Sequence, residues 1–174
     1  MSRPRTLARV ALLFVMALVA FAARQTPASS ALSTGIVISQ VYGAGGNSGA
    51  TYNADFVELF NRGSSPASIN GYSLQYASAA GNTWARFNLP NVPLQAGQYY
   101  LVQMSATGAN GSALPTPDTT ASPAIAMGAS AGKIALVGNQ TTLPGQTCPD
   151  FTTNGVVDFV GFGTTANCYE GSTF

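Results

Sequence analysis

The chain has 174 residues, 46% of them hydrophobic and only 7% charged, with seven basic and six acidic side chains and no histidine. Without histidine, neither a Ser-His-Asp triad nor a His-based metal centre can be built. A formal charge of +1 with no basic cluster gives no grip on phosphate backbones, and the aromatic and β-branched content is too high for a disordered chain.

The N-terminus reads as a secretory signal peptide. Arg3, Arg5 and Arg9 form a positive region, Val10 to Ala22 is uninterruptedly apolar, and Ala20-Phe21-Ala22 offers a small-x-small cleavage site. A membrane-spanning helix needs about 20 apolar residues, and this run ends before Arg24. The expectation is a leader over residues 1–23, with Ser29-Ser30-Ala31 as a later cleavage site, then a flexible linker over 24–34. The product would be secreted, extracellular or periplasmic, with no transmembrane span once the leader is removed. Four of the seven basic residues precede residue 32, so the exported part keeps Arg62, Arg86 and Lys133 against six carboxylates, hence −3.

Seven strand-like runs follow: Gly35–Tyr42, Asp55–Asn61, Tyr72–Ser78, Trp84–Leu89, Gln98–Met104, Lys133–Val137 and Val156–Phe162. The third alternates, with Tyr72, Leu74 and Tyr76 on one face and Ser73, Gln75 and Ala77 on the other. Asn61-Arg62-Gly63 and Asn70-Gly71 supply turn residues, and the prolines fall between the strands. No useful helical period occurs after the leader, and about 140 residues suffice for one cored domain. The pattern predicts an all-β chain, a β-sandwich of about seven strands over residues 35–174. Two long connections, 43–54 and 105–132, are where recognition is expected.

Chemistry is sparse. Cys148 and Cys168 are an even pair in an oxidising compartment and predict a disulfide, because two thiolates alone do not complete a zinc tetrahedron. Gly128-Ala129-Ser130-Ala131-Gly132-Lys133 has the wrong spacing for a phosphate loop and lacks the following Ser or Thr; Gly43-Ala44-Gly45-Gly46 misses the dinucleotide spacing. Asp55 and Glu58 are three apart on a strand, so their side chains diverge and cannot work as an acid–base pair. Glu58 shares a face with Phe56 and Phe60 and is expected to accept hydrogen bonds from turn backbone; Asn61 and Gly71 are the other structural positions. Asn47, Ser48, Asn53 and Asp55 put oxygen donors around a glycine-rich loop and make a weak calcium candidate with a single carboxylate. Tyr42, Tyr52 and Tyr169 lie near strand ends or loops and can stack on a sugar or peptide, or pack at the rim of the core. No catalytic residue and no cofactor is expected.

Gly35-Ile-Val-Ile-Ser-Gln-Val-Tyr-Gly-Ala-Gly-Gly46, the run from Asp55 to Asn61 (DFVELFN), Gly71 to Ser78 (GYSLQYAS) and Leu94 to Gln103 (LQAGQYYLVQ) together resemble the lamin tail domain family, especially its secreted bacterial members. The resemblance continues through Gly132–Val137, Val156–Gly163 and Cys168–Ser172. It implies an immunoglobulin-like sandwich acting as a non-catalytic module, associated in lamins with chromatin and protein binding and in bacteria with secreted hydrolases. Members generally continue beyond the last of these segments to a final strand. The expectation is therefore a C-terminally truncated domain, or a sandwich that lacks its last strand and exposes apolar inner surface.

The function expected on these grounds is a secreted recognition or adhesion module that binds a protein, cell-envelope or polysaccharide partner through its loops. The alternative is an N-terminal accessory domain of a larger secreted nuclease or phosphoesterase-type hydrolase. Direct nucleic-acid binding is disfavoured by charge.

Overall fold

The computed structural model describes residue 33 and residues 35–171. The expected signal peptide, with both of its cleavage points, and nearly all of the linker lie outside the described residues. All seven predicted strands form, to within one residue at either end: β1 (Ile36–Tyr42), β2 (Phe56–Asn61), β4 (Ser73–Ser78), β5 (Ala85–Asn88), β7 (Tyr99–Gln103), β9 (Gly132–Val137) and β10 (Val156–Phe162). Three two-residue strands add to them: β3 (Ala67–Ser68), β6 (Pro93–Leu94) and β8 (Thr119–Thr120). Pro93 thus stands inside a strand and not between strands. It pairs with Ser68 in the small β3–β6 ribbon, where a missing donor is tolerated at the edge.

Two four-stranded sheets carry the architecture. The front sheet runs β1-β2-β7-β8 and the back sheet β10-β9-β4-β5. All pairings are antiparallel except that of β8, which joins β7 in parallel. Alternation along β2 sends Val57 and Leu59 inward, each with no exposed surface, and turns Phe56, Glu58 and Phe60 to the outer face. Across the sandwich, Leu74, Ile134 and Leu136 from the back sheet pack with Ile38, Val57, Leu59 and Val102 from the front in one apolar core. Among the described residues Tyr99 alone is an exposed large hydrophobic. The expected exposure of apolar inner surface is therefore not found: the two sheets cover one another.

The back sheet departs from simple alternation. Ser73, Gln75 and Ala77, the polar or small face of β4, are as buried as Leu74, and all six residues of β9 are buried. A second apolar cluster lies over that outer face, built from Trp84, Leu143, Val156, Phe159 and Cys168 with Phe151 against it. The disulfide Cys148–Cys168, with Cα atoms 5.2 Å apart, ties the covering segment down. Polar groups under this cover find partners: the Gln75 amide donates to the Thr141 carbonyl (2.8 Å) and accepts from the Leu143 amide (2.8 Å).

Lys133 is fully buried here. Its ammonium donates to the carbonyls of Gly81 (2.7 Å) and Thr147 (2.6 Å) and to Oδ1 of Asn167 (2.8 Å), 5.7 Å from the centre of the Trp84 ring. The lysine of the faint phosphate-loop text is thus a strut between loops, facing protein oxygens.

Turn chemistry fits the assigned residues. Gly71 takes φ +77° in the turn closed by the Tyr72 amide on the Ile69 carbonyl (3.1 Å), a conformation open to glycine at little cost. Asn61 is buried, donates to the carbonyls of Ser65 (3.0 Å) and Leu94 (2.9 Å), and accepts from the Gly63 amide (3.0 Å), so it fixes both its own turn and the β3–β6 ribbon.

Candidate functional site on the outer face of the front sheet

The two long connections meet at one end of the front sheet. Gly46 pairs with Asn110 and Tyr52 with Ser112 in isolated bridges. The amide of Gly108 donates to the Asn53 carbonyl (2.6 Å), that of Asn53 to the Ser112 carbonyl (2.9 Å), and the Asn110 side chain to the Gly46 carbonyl (3.0 Å). A Cβ on Gly46 would lie 2.5 Å from the Gly108 Cα, so this crossing requires glycine against glycine.

Asp55 is the hub of the crossing. It is buried, its two carboxylate oxygens accept from the amides of Gly45 (2.8 Å) and Met127 (2.7 Å), and its own amide donates to the Ser105 hydroxyl (2.7 Å). Both long connections are pinned to one residue. Sequence reasoning grouped Asp55 with Asn47, Ser48 and Asn53 as oxygen donors for calcium. In the fold Asp55 points at backbone N–H groups, Asn47 and Ser48 are exposed, and Asn53 joins the crossing through its backbone. The Asp55 carboxylate thus serves as an acceptor of loop amides. The available signal was the position of Asp55, a lone carboxylate between a glycine-rich loop and a buried strand.

Beyond the crossing lies an aromatic cluster. Tyr42 stacks on Phe56 (ring centres 5.4 Å apart), and Tyr52 meets both edge-on at 5.6 and 5.8 Å. The Tyr42 hydroxyl accepts from the amides of Thr51 (2.9 Å) and Tyr52 (3.3 Å), which holds the loop against the sheet. Next to this cluster a cavity of about 190 Å³ is lined by Gln40, Tyr52, Phe56, Glu58, Leu101, Leu114 and Pro115. Register explains the lining: Glu58 stands opposite Gln40 on β1 and Leu101 on β7, so the three form one cross-strand row on the outer face.

Glu58 accepts from the Ser39 hydroxyl at 2.6 Å, where an irregularity in the β1–β2 register sets Ser39 and Gln40 beside the same partner. Among the described residues the hydrogen-bond partner seen at the Glu58 carboxylate is Ser39, while Asp55, three residues earlier, receives loop-backbone amides. At the far end of the face, Phe60 and Tyr99 pack ring on ring at 4.5 Å, and Tyr99 remains 56% exposed. Phe56 and Phe60 are four strand residues apart, about 13 Å along β2. The face therefore reads aromatic, amide and carboxylate, aromatic.

A second pair of carboxyls lies where β10 meets β1. Asp158 on β10 accepts from the Ile38 amide on β1 at 2.6 Å, linking the edges of the two sheets. Burial first, and then the charge and hydrogen bond of Glu170, push the Asp158 carboxyl up to about 6 against the pull of the Ile38 amide. Spacing gave no hint of this pair, because the two residues belong to separate segments joined only through the folded C-terminal end.

The family model of the Lamin Tail Domain matches residues 29–163, well over half of the chain and the whole of both sheets. The chain belongs to the lamin tail domain family. No curated protein matches it. The lamin tail domain here is all-β, an immunoglobulin-like sandwich, and its loop crossing, aromatic cluster and cavity all fall within the matched span. Tyr169, the third aromatic singled out from the sequence, lies against β10, its Cβ 3.0 Å from where a side chain on Gly161 would begin.

Proposed function

We propose that this lamin tail domain is a secreted, non-catalytic recognition module that holds an extracellular partner against the outer face of its front sheet. The carrying observation is the exposed Tyr99, packed on the half-buried Phe60, in line with the cavity lined by Tyr52 and Phe56. Exposed rings beside a few fixed polar groups are the usual lining of binding surfaces. The leader text and the disulfide support export. The Asp55 crossing supports recognition, because it braces the loops around the cavity from within. The partner classes are a protein, the cell envelope or a polysaccharide.

The test is retention of purified protein on isolated cell envelopes, washed insoluble polysaccharides and immobilised secreted proteins. The double variant Phe60→Ala/Tyr99→Ala should lose retention while Thr152→Ala, exposed on the disulfide side, keeps it. Equal retention of the two variants would remove this face from the function.

A further inference from the structure

Resting on that reading of the face, we infer that its ligand is a neutral glycan chain, lying along β2 from the Phe60–Tyr99 pair to the cavity beside Tyr52. Three observations narrow the chemistry. First, aromatic groups stand at both ends of the row, and a pyranose ring offers an apolar C–H face that packs on such rings. Second, Gln40 and Glu58 stand opposite one another between these ends and Gln103 stands opposite Phe56 at the cavity end, so amides and a carboxylate that can both donate to and accept from ring hydroxyls lie along the path. Ser39 already fixes the Glu58 carboxylate at 2.6 Å and the Ser105 carbonyl fixes the Gln103 amide at 2.9 Å, so these groups are held in place before a ligand arrives.

Third, the charge on the face excludes the polymeric anions. Glu58 is the one carboxylate in the row, Arg62 lies exposed in the turn past Phe60, and Asp118 at the β7–β8 edge is engaged by the Leu101 amide at 2.7 Å. One guanidinium beside two carboxylates neutralises no run of phosphates or uronates. A peptide strand is less well served as well. The face is the flat of the sheet, and a peptide strand adds to a sheet edge, not to its flat.

The experiment titrates the purified full chain, ¹⁵N-labelled, with neutral oligosaccharides of increasing length (β-linked glucose, N-acetylglucosamine, mannose and xylose series) and with polygalacturonate as the anionic control. Amide shifts should concentrate on β1, β2 and β7, and affinity should rise with chain length until the row is spanned, with little response to added salt. Tyr99→Ala should weaken binding about five- to tenfold and Tyr99→Phe hardly at all, since the ring and not the hydroxyl carries the contact. Gln40→Ala should weaken it about two- to tenfold.

Shifts confined to the back sheet, or binding to polygalacturonate alone that fades with salt, would overturn the inference. So would silence toward every neutral series. If silence coincided with envelope or protein retention that Phe60→Ala/Tyr99→Ala abolishes, the glycan assignment would fall and the use of this face would stand. If the double variant changed nothing, both would fall.

Discussion

Two buried charges show how single residues hold this domain. Asp55 and Lys133 lie among backbone dipoles, the first receiving two amides and the second giving to two carbonyls and an amide oxygen. A buried charge is costly unless its hydrogen-bonding capacity is met, and here loop backbone meets it. Burial also lowers the pKa of the Lys133 ammonium. Removing such a hub orphans the groups it served. Asp55→Ala leaves the Gly45 and Met127 amides without acceptors and should cost about 2–5 kcal/mol in urea unfolding. Asp55→Asn, which keeps one acceptor oxygen, should cost less. Hydrogen exchange at Gly45 and Met127 should quicken in both variants, and a chelator should leave the wild-type midpoint where it is. A midpoint that fell with chelator would support the calcium reading.

The same alternation gives different results in different elements. Strand β2 has one face in the core and one at the surface, which is why its apolar outer residues are informative about binding. Strand β4 has the same period, yet both faces are buried because the segment after β9 folds back over the sheet. The disulfide is what makes that cover durable. It closes a loop of 20 residues in sequence separation, and loop-closure entropy puts its contribution near 3 kcal/mol. The double variant Cys148→Ser/Cys168→Ser should lose about that much in urea unfolding. Its exchange protection should fall first around Leu143 and Phe159, with β1, β2 and β7 following only the global change. Uniform loss across both sheets would show the cover to be part of one cooperative unit with the sandwich.

At the scale of the whole molecule, the Ile38–Asp158 hydrogen bond ties the two sheets at their shared edge. The Asp158 carboxyl, buried and close to Glu170, titrates near 6 in the folded protein against an ordinary value of 3.8. A pKa raised by folding means that the native state holds the proton more tightly. Its contribution is full below about pH 4 and is lost as pH rises through 6. Thermal stability should therefore decline between pH 4 and 6 from this site. Asp158→Asn, which still accepts from Ile38 and never ionises, should flatten that slope and raise the midpoint at pH 7. An unchanged slope in the variant would place the pH dependence elsewhere.

The sequence by itself determined the seven main strands, the single sandwich, the disulfide and the family, because each is written locally or in the order of segments. Period-two alternation marks a strand wherever its neighbours lie, and Asn61 and Gly71 mark turns that only such residues close well. Which faces those strands bury is not local. Gln75 lies on the polar face of β4 and is buried because the segment of residues 139–155 covers it; Lys133, the lysine of the failed phosphate-loop text, is a buried strut. The same limit governed the candidate site. Tyr42 and Tyr52 were legible as loop-end aromatics, but Gln40, Glu58 and Leu101 became a row only through the register of β1, β2 and β7. The Asp55 clamp and the Asp158–Glu170 pair likewise join segments distant in the chain, and only the tertiary structure sets which backbone amide or carboxyl each acid meets.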